Sequence, residues 1–164
     1  MDAREFEQIV DAFYRDLYRF ALSLARNPDD ASDLTQQTFA TFAQKQDDLR
    51  DRARCKSWLF TTLYRDFLRQ GARSQKIVAM EPETLETHAP PVAATGSASA
   101  EHREILDVLL GLEEPHRAVL SLFYLEDYSY KDIAAILDIP LGTVMSRIAR
   151  AKEALRAAMK TSAG

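Results

Sequence analysis

From Tyr128 to Lys160 the chain reads YSYKDIAAILDIPLGTVMSRIARAKEALRAAMK, two helical patterns separated by a break short enough to be only a turn. The first pattern spans Ser129 to Leu137. Ser129 is a good N-cap, and Asp132 stands three places on as a shorter-armed capping box. Ile133, Ala134 and Leu137 share one apolar face. The break is Asp138-Ile139-Pro140: Asp tolerates a left-handed turn, and Pro140 cannot continue the incoming helix but can open the next. The second pattern runs from Leu141 to Met159, with Val144, Ile148, Ala151 and Leu155 as its buried stripe. Arg147, Arg150, Lys152, Arg156 and Lys160 lie largely off that stripe. Two short helices, a tight turn and a basic second helix make the helix-turn-helix pattern, which sets its second helix in a DNA major groove. Small Ala134 lets the two helices approach where they cross. The plainer alternative is a helical hairpin with a solvated basic face.

The rest of the chain reads as helical. Phe6, Ile9, Val10, Phe13, Leu17, Phe20, Ala21 and Leu24 recur at threes and fours and predict a long amphipathic helix, ended by Asn27-Pro28. A second helix is expected from Asp29 or Asp30 to Lys45, with Leu34, Phe39 and Phe42 buried and Ala31 and Thr38 beside them. Gln46 to Lys56 is too charged for a buried helix and reads as a loop or frayed end. Ser57 is then expected to cap a third helix with Trp58, Leu59, Leu63 and Phe67 inward and Arg65, Arg69 and Arg73 outward. From Ser74 to Ala100, Pro82, Pro90, Pro91 and Gly96 among small residues predict a flexible linker spanning about 30 Å. Helices follow from Glu101 to Leu112 and from Pro115 to Leu125.

The expected architecture is therefore all-α: two small helical domains, residues 1–73 and 101–164, joined by a flexible linker over 74–100. The net charge of −4 is awkward for a protein that binds DNA alone, because phosphate neutralisation supplies most of the affinity. The distribution is more telling than the sum. Residues 49–76 carry a charge of +6 and residues 141–164 carry +4, so the remainder is strongly acidic. That pattern suits two DNA contacts on a body that meets a protein partner elsewhere.

No apolar run approaches the ~18 residues that span a membrane. The acidic, amphipathic MDAREFEQIV start is not a signal-peptide pattern. The single cysteine, Cys55, fits a reducing cytoplasm. No catalytic constellation or cofactor motif is present: there is no Gly-rich phosphate loop, CxxC or HExxH. His88, His102 and His116 lack a third ligand at metal-site spacing, so neither an enzyme nor a bound cofactor is expected.

The run Tyr128-Ser129-Tyr130-Lys131-Asp132-Ile133-Ala134, then Leu137-Asp138-Ile139-Pro140-Leu141-Gly142-Thr143-Val144, then Ser146-Arg147 closely resembles the "minus 35" reading domain of bacterial sigma factors, above all the extracytoplasmic-function group. The resemblance implies a protein that recruits core RNA polymerase to promoter DNA and initiates transcription. It places Thr143, Ser146, Arg147 and Arg150 near the major groove and Lys131 on a phosphate. Met145 and Ala149 stand there where larger or basic side chains are usual. Glu113-Glu114-Pro115-His116-Arg117 resembles the segment before the backbone-crossing helix, which implies a phosphate contact for Arg117.

Asp30-Ala31-Ser32-Asp33-Leu34-Thr35-Gln36-Gln37-Thr38-Phe39 resembles the segment that docks on the polymerase clamp. Asp30, Ser32, Asp33, Gln36, Gln37 and Phe39 are the implied contacts. Ser32 and Gln37 replace common acids there. Phosphorylation at Ser32, Thr35 or Thr38 by a Ser/Thr kinase would restore about two negative charges. Basic residues interleaved with aromatics suit melted DNA, and the Ser57-Trp58-Leu59-Phe60 step resembles the "minus 10" segment. Arg54, Lys56, Trp58, Arg65 and Arg69 are the candidates. Tyr64-Arg65-Asp66 comes early for the family, which predicts a shortened helix. The polymerase flap and an anti-sigma factor are further implied partners. Two alternatives stay open from residues alone: a stand-alone helix-turn-helix regulator, and a degenerate sigma homologue acting as an interaction adaptor.

Overall fold

The computed structural model describes residues 2–45, 52–78 and 100–163, and these are helical and turn segments without strands. Helix α1 (Ala3–Ala25) starts where the Asp2 carboxylate accepts the Glu5 N–H at 2.9 Å. It stops at Arg26, whose backbone turns left-handed (φ 66°) and donates to the Leu22 carbonyl. Asn27 then opens α2 (Pro28–Lys45). Its side-chain oxygen accepts the Asp30 N–H at 2.8 Å, and its amide donates back to the Asp30 carboxylate at 2.6 Å. Pro28 takes the first helical position, where a missing N–H costs nothing. Asn27-Pro28 is thus a start signal as much as the expected stop.

Helix α3 runs from Arg52 to Val78, and three expectations fail there. Arg52–Lys56 is helical rather than loop, so Ser57 lies inside the helix and caps nothing. Gln46 to Asp51 lies outside the described residues. The helix is not shortened near Asp66, and it passes through residues 74–78, the expected start of the linker. The remaining linker positions, 79–99, lie outside the described residues, His88 with them.

The chain divides into two compact units, Met1–Pro90 and Pro91–Gly164. In the first, α1 packs on α2 and α3, and α2 on α3. Leu17, Phe20, Leu24, Leu34, Phe42, Leu59, Phe60 and Leu63 fill the space between them. Each such side chain contributes about 1.5–3 kcal/mol on burial. Phe20 meets Phe60 at 5.3 Å between ring centroids, and Phe42 lies between Phe6 at 5.8 Å and Trp58 at 5.7 Å. Cys55 is fully buried in this packing, as a structural residue.

The second unit contains α4 (Ala100–Leu109), α5 (Glu114–Leu120), α6 (Tyr130–Leu137) and α7 (Leu141–Ala163). Helix α4 ends before the expected Leu112 because the chain tightens: the Gly111 and Leu112 N–H groups reach back three residues, to the Val108 and Leu109 carbonyls. After α5 the backbone widens into a π-helical turn, Ser121–Leu125. The long α7 is the spine of this unit, packed by α4, α5 and α6. Leu109, Val119, Leu120, Leu122, Ile133, Ile136, Val144, Ile148 and Ala151 form its core. No helix among the described residues is long and apolar enough to cross a membrane.

Candidate nucleic-acid interface

The turn between α6 and α7 is built by the residues that predicted it. Ser129 Oγ accepts the Asp132 N–H at 3.1 Å and fixes the start of α6. Asp138 closes the helix in the left-handed region, with φ 56° and ψ 52°. Its N–H and that of Ile139 both reach the Ala134 carbonyl, the second at 3.1 Å, so the last turn of α6 is capped by its own chain. The Pro140 carbonyl then accepts the Thr143 and Val144 N–H groups at 3.0 and 3.1 Å and launches α7. Upstream, Tyr128 N–H bonds the Leu122 carbonyl at 3.0 Å across a second left-handed residue, Asp127 (φ 58°). The approach to α6 is therefore held as firmly as its exit.

This frame sets the face of α7. Val144, Ile148, Ala151 and Leu155 point into the unit, as their spacing predicts. Met145, Ser146, Ala149 and Arg150 are exposed, Thr143 and Arg147 are half-buried, and Lys131 is exposed on α6. The basic face is thinner than the charge count implies, because Lys152 Nζ sits over the Phe123 ring at 5.1 Å and is engaged within the unit.

Arg117 departs from its expected phosphate contact. It is only 5% exposed, and its Nη1 donates to the Leu112 carbonyl at 2.5 Å. The guanidinium supplies a donor to this half-buried carbonyl in the chain reversal before α5.

In the first unit Arg65 and Arg69 are exposed on α3. Arg69 Nη2 lies 3.3 Å from Asp66 Oδ1. The other Asp66 oxygen is buried with no hydrogen-bond partner, and this desolvation raises the carboxyl above its ordinary value although Arg69 pulls the other way. Arg54 is exposed as well. Lys56 and Trp58 are placed differently from the expectation. Lys56 is half-buried with Nζ 3.8 Å from Asp16 of α1, and Trp58 is half-buried against Phe42. Both are committed partly to packing.

On α2, Asp33, Gln36 and Gln37 are exposed, and Asp30 is exposed but occupied in the Asn27 cap. Ser32 is half-buried and accepts Gln36 Nε2 at 3.3 Å. Phe39 is not a surface contact: it is 6% exposed and stacks on Tyr14 at 6.0 Å. Sequence reasoning missed Leu141, which is exposed one turn before Met145. Its omission from the Val144–Leu155 stripe was the available signal. No cluster of metal-ligating side chains occurs among the described residues.

A capped helix-turn-helix with an exposed, partly basic second helix, in a chain with a separate three-helix unit bearing outward arginines, defines a two-unit DNA-binding protein. Residues 9–77 match the family Sigma-70 region 2, and residues 102–155 match Sigma-70, region 4. The chain is similar to the sigma factor SigM of Bacillus subtilis, with 26% identity over 92% of this chain and 93% of that protein. It is 33% identical to SigL of Mycobacterium tuberculosis over 85% of this chain and 80% of that one. Among solved structures it resembles the sigma factor RpoE of Bartonella quintana in complex with the anti-sigma factor NepR, with TM-score 0.82 and 30% identity over 96% of this chain and 98% of that chain.

The chain belongs to the sigma-70 family, as an extracytoplasmic-function sigma factor. It acts in promoter-specific transcription initiation, with core RNA polymerase and promoter DNA as its partners.

Proposed function

We propose that the two units divide the work of initiation. The first, through α2, docks on the polymerase clamp by Asp33, Gln36 and Gln37, with Ser32 at the edge of that face. Arg54, Arg65 and Arg69 of α3 hold the melted "minus 10" strand. The second unit meets the polymerase flap and sets α7 in the major groove of the "minus 35" duplex. There Thr143, Ser146, Arg147 and Arg150 meet bases and phosphates, and Lys131 meets the backbone. The protein works in the cytoplasm and performs no catalysis of its own.

The observation that carries this reading is the α6–α7 turn, whose left-handed Asp138 and Pro140 start α7 with Ser146 and Arg150 in solvent. The test is to reconstitute core polymerase with the purified chain and sequence the run-off transcripts. Start sites absent from core alone support the reading. A footprint that is identical with and without core polymerase would indicate a stand-alone regulator instead.

Control of this activity has two candidate partners. The similar RpoE structure is a complex with an anti-sigma factor, and a partner of that class is proposed here. Of the three hydroxyls at which a kinase would restore charge on α2, only that of Ser32 is open to one. The Thr35 and Thr38 hydroxyls are buried and donate to the Ala31 and Leu34 carbonyls at 2.7 and 2.8 Å. Ser32→Glu is expected to tighten core binding about 2- to 5-fold, the gain of a partly exposed ion pair, while Ser32→Ala leaves it unchanged. Equal affinities for the two variants would remove Ser32 as a control point.

A further inference from the structure

On the proposed groove-facing helix, two large apolar side chains stand in water. Leu141 is 48% exposed and Met145 is 52% exposed. They are one helical turn apart, so they share a side of α7 at its first turns. Around them are the exposed Gly142, Ser146, Ala149 and Arg150. Their position distinguishes them from Met159, which is also exposed at 48% but lies ~20 Å further along the helix, beyond the reach of the same groove.

Gly142 adds an independent observation. A Cβ built there would meet nothing within 4 Å. Packing inside this unit therefore does not ask for glycine at this first-turn position of α7. A bare backbone beside two exposed apolar side chains leaves room for an outside surface to approach closely.

The major groove offers one apolar feature for such side chains, the 5-methyl group of thymine. The half-buried Arg147 and exposed Arg150 at the same end of the helix are placed to meet the phosphates beside such a groove. Resting on the promoter-binding reading above, we infer that Leu141 and Met145 read thymine methyl groups, so that this protein selects its upstream element partly by apolar contact. The two side chains are ~6 Å apart along the helix axis. With base pairs ~3.4 Å apart, the thymines they read lie about two base pairs apart when the helix follows the groove.

The test uses holoenzyme, reconstituted from core polymerase and the full chain, to select duplexes from a pool randomised upstream of a fixed "minus 10" element. Deoxyuridine then replaces each thymine of the recovered element in turn, which removes only the methyl. One position should lose affinity about 4-fold, the factor for burying one methyl carbon. That loss should vanish in Met145→Ala holoenzyme. A second position, about two base pairs away, should respond in the same way to Leu141→Ala. Both residues are exposed, so unchanged melting curves of the variants show that the fold is intact. Deoxyuridine tolerated at every position, or losses that persist in both variants, would overturn the inference while leaving promoter binding standing. Recovery of no duplex by holoenzyme would overturn the binding reading and the inference together.

Discussion

Arg117 separates a structural from a DNA-contacting arginine, and its replacement by methionine tests which it is. Methionine keeps much of the apolar stem but removes the guanidinium that donates to the Leu112 carbonyl at 2.5 Å from a side chain only 5% exposed. A hydrogen bond from a charged group is worth about 1.5–3 kcal/mol, and the half-buried carbonyl left behind has lost its donor. In a unit this small each kcal/mol moves the melting point by about 4–8 °C, so Arg117→Met should lower it by roughly 6–24 °C. Circular dichroism of the full chain reads this, because Trp58 fluorescence reports only on the other unit. The second measurement is the salt dependence of holoenzyme binding to a promoter, taken below the melting transition. Loss of one phosphate contact lowers the log–log slope by about 0.9. Arg117→Met should leave that slope alone. Arg150→Ala, at an exposed position of α7, should lower it without moving the melt. An Arg117 variant with unchanged melting and a reduced slope would refute the assignment.

Two further outcomes follow from backbone and burial. Asp138 holds φ 56°, so Asp138→Gly should keep or raise thermal stability by up to about 1 kcal/mol, whereas Asp138→Val should lower it by about 1–2 kcal/mol; equal melting points for the two would contradict a left-handed turn. Burial raises the Asp66 carboxyl in the folded state above its ordinary 3.8, so the folded chain binds more protons than the unfolded one just above that value. Its contribution to stability therefore falls as pH rises through the interval from 3.8 to the higher folded value. Asp66→Asn should remove that slope and stabilise the first unit at neutral pH, as read by Trp58 fluorescence in urea at several pH values; an unchanged pH profile would contradict it.

The helix-turn-helix was legible because its determinants are local. A cap at Ser129, a residue tolerant of left-handed backbone at Asp138, Pro140 and a four-residue stripe on α7 each act within a turn or two of their own position. The buried face of α3 was less legible. Periodicity named Trp58 and Phe67, yet both are half-buried, while Cys55, Phe60 and Tyr64 are buried. A helix packed by two neighbours buries a wider arc than one stripe, and no single-helix pattern says where the second neighbour sits. The start of α3 was misread for a related reason. The charge from Arg52 to Lys56 argues against a buried helix, but Arg54 stays exposed, Cys55 supplies a buried side chain, and Lys56 finds Asp16 on α1. Resemblance assigns Arg117 and Phe39 to surfaces. The periodicity of α2 already marks Phe39 as buried, and it stacks on Tyr14, whereas the burial of Arg117 answers a carbonyl at Leu112, a demand that arises only after folding.

The charge and burial of these residues agree with the proposed recruitment to DNA by polymerase. Phosphate neutralisation is the main source of non-specific affinity, and the net charge of −4 opposes it. Three of the basic residues that the sequence offered to DNA are already engaged: Arg117 is buried, Lys152 lies over Phe123, and Lys56 lies near Asp16. What remains exposed on α7 is Arg150, Arg156 and Lys160 beside a short polar and apolar strip, and apolar contacts gain little until the helix is already seated in the groove. Such a surface is suited to choosing among sites once polymerase has brought it to the duplex, and poorly suited to holding DNA by itself. On the proposed division of work, recruitment and selection are separate burdens, the first assigned to α2 and the second to α7.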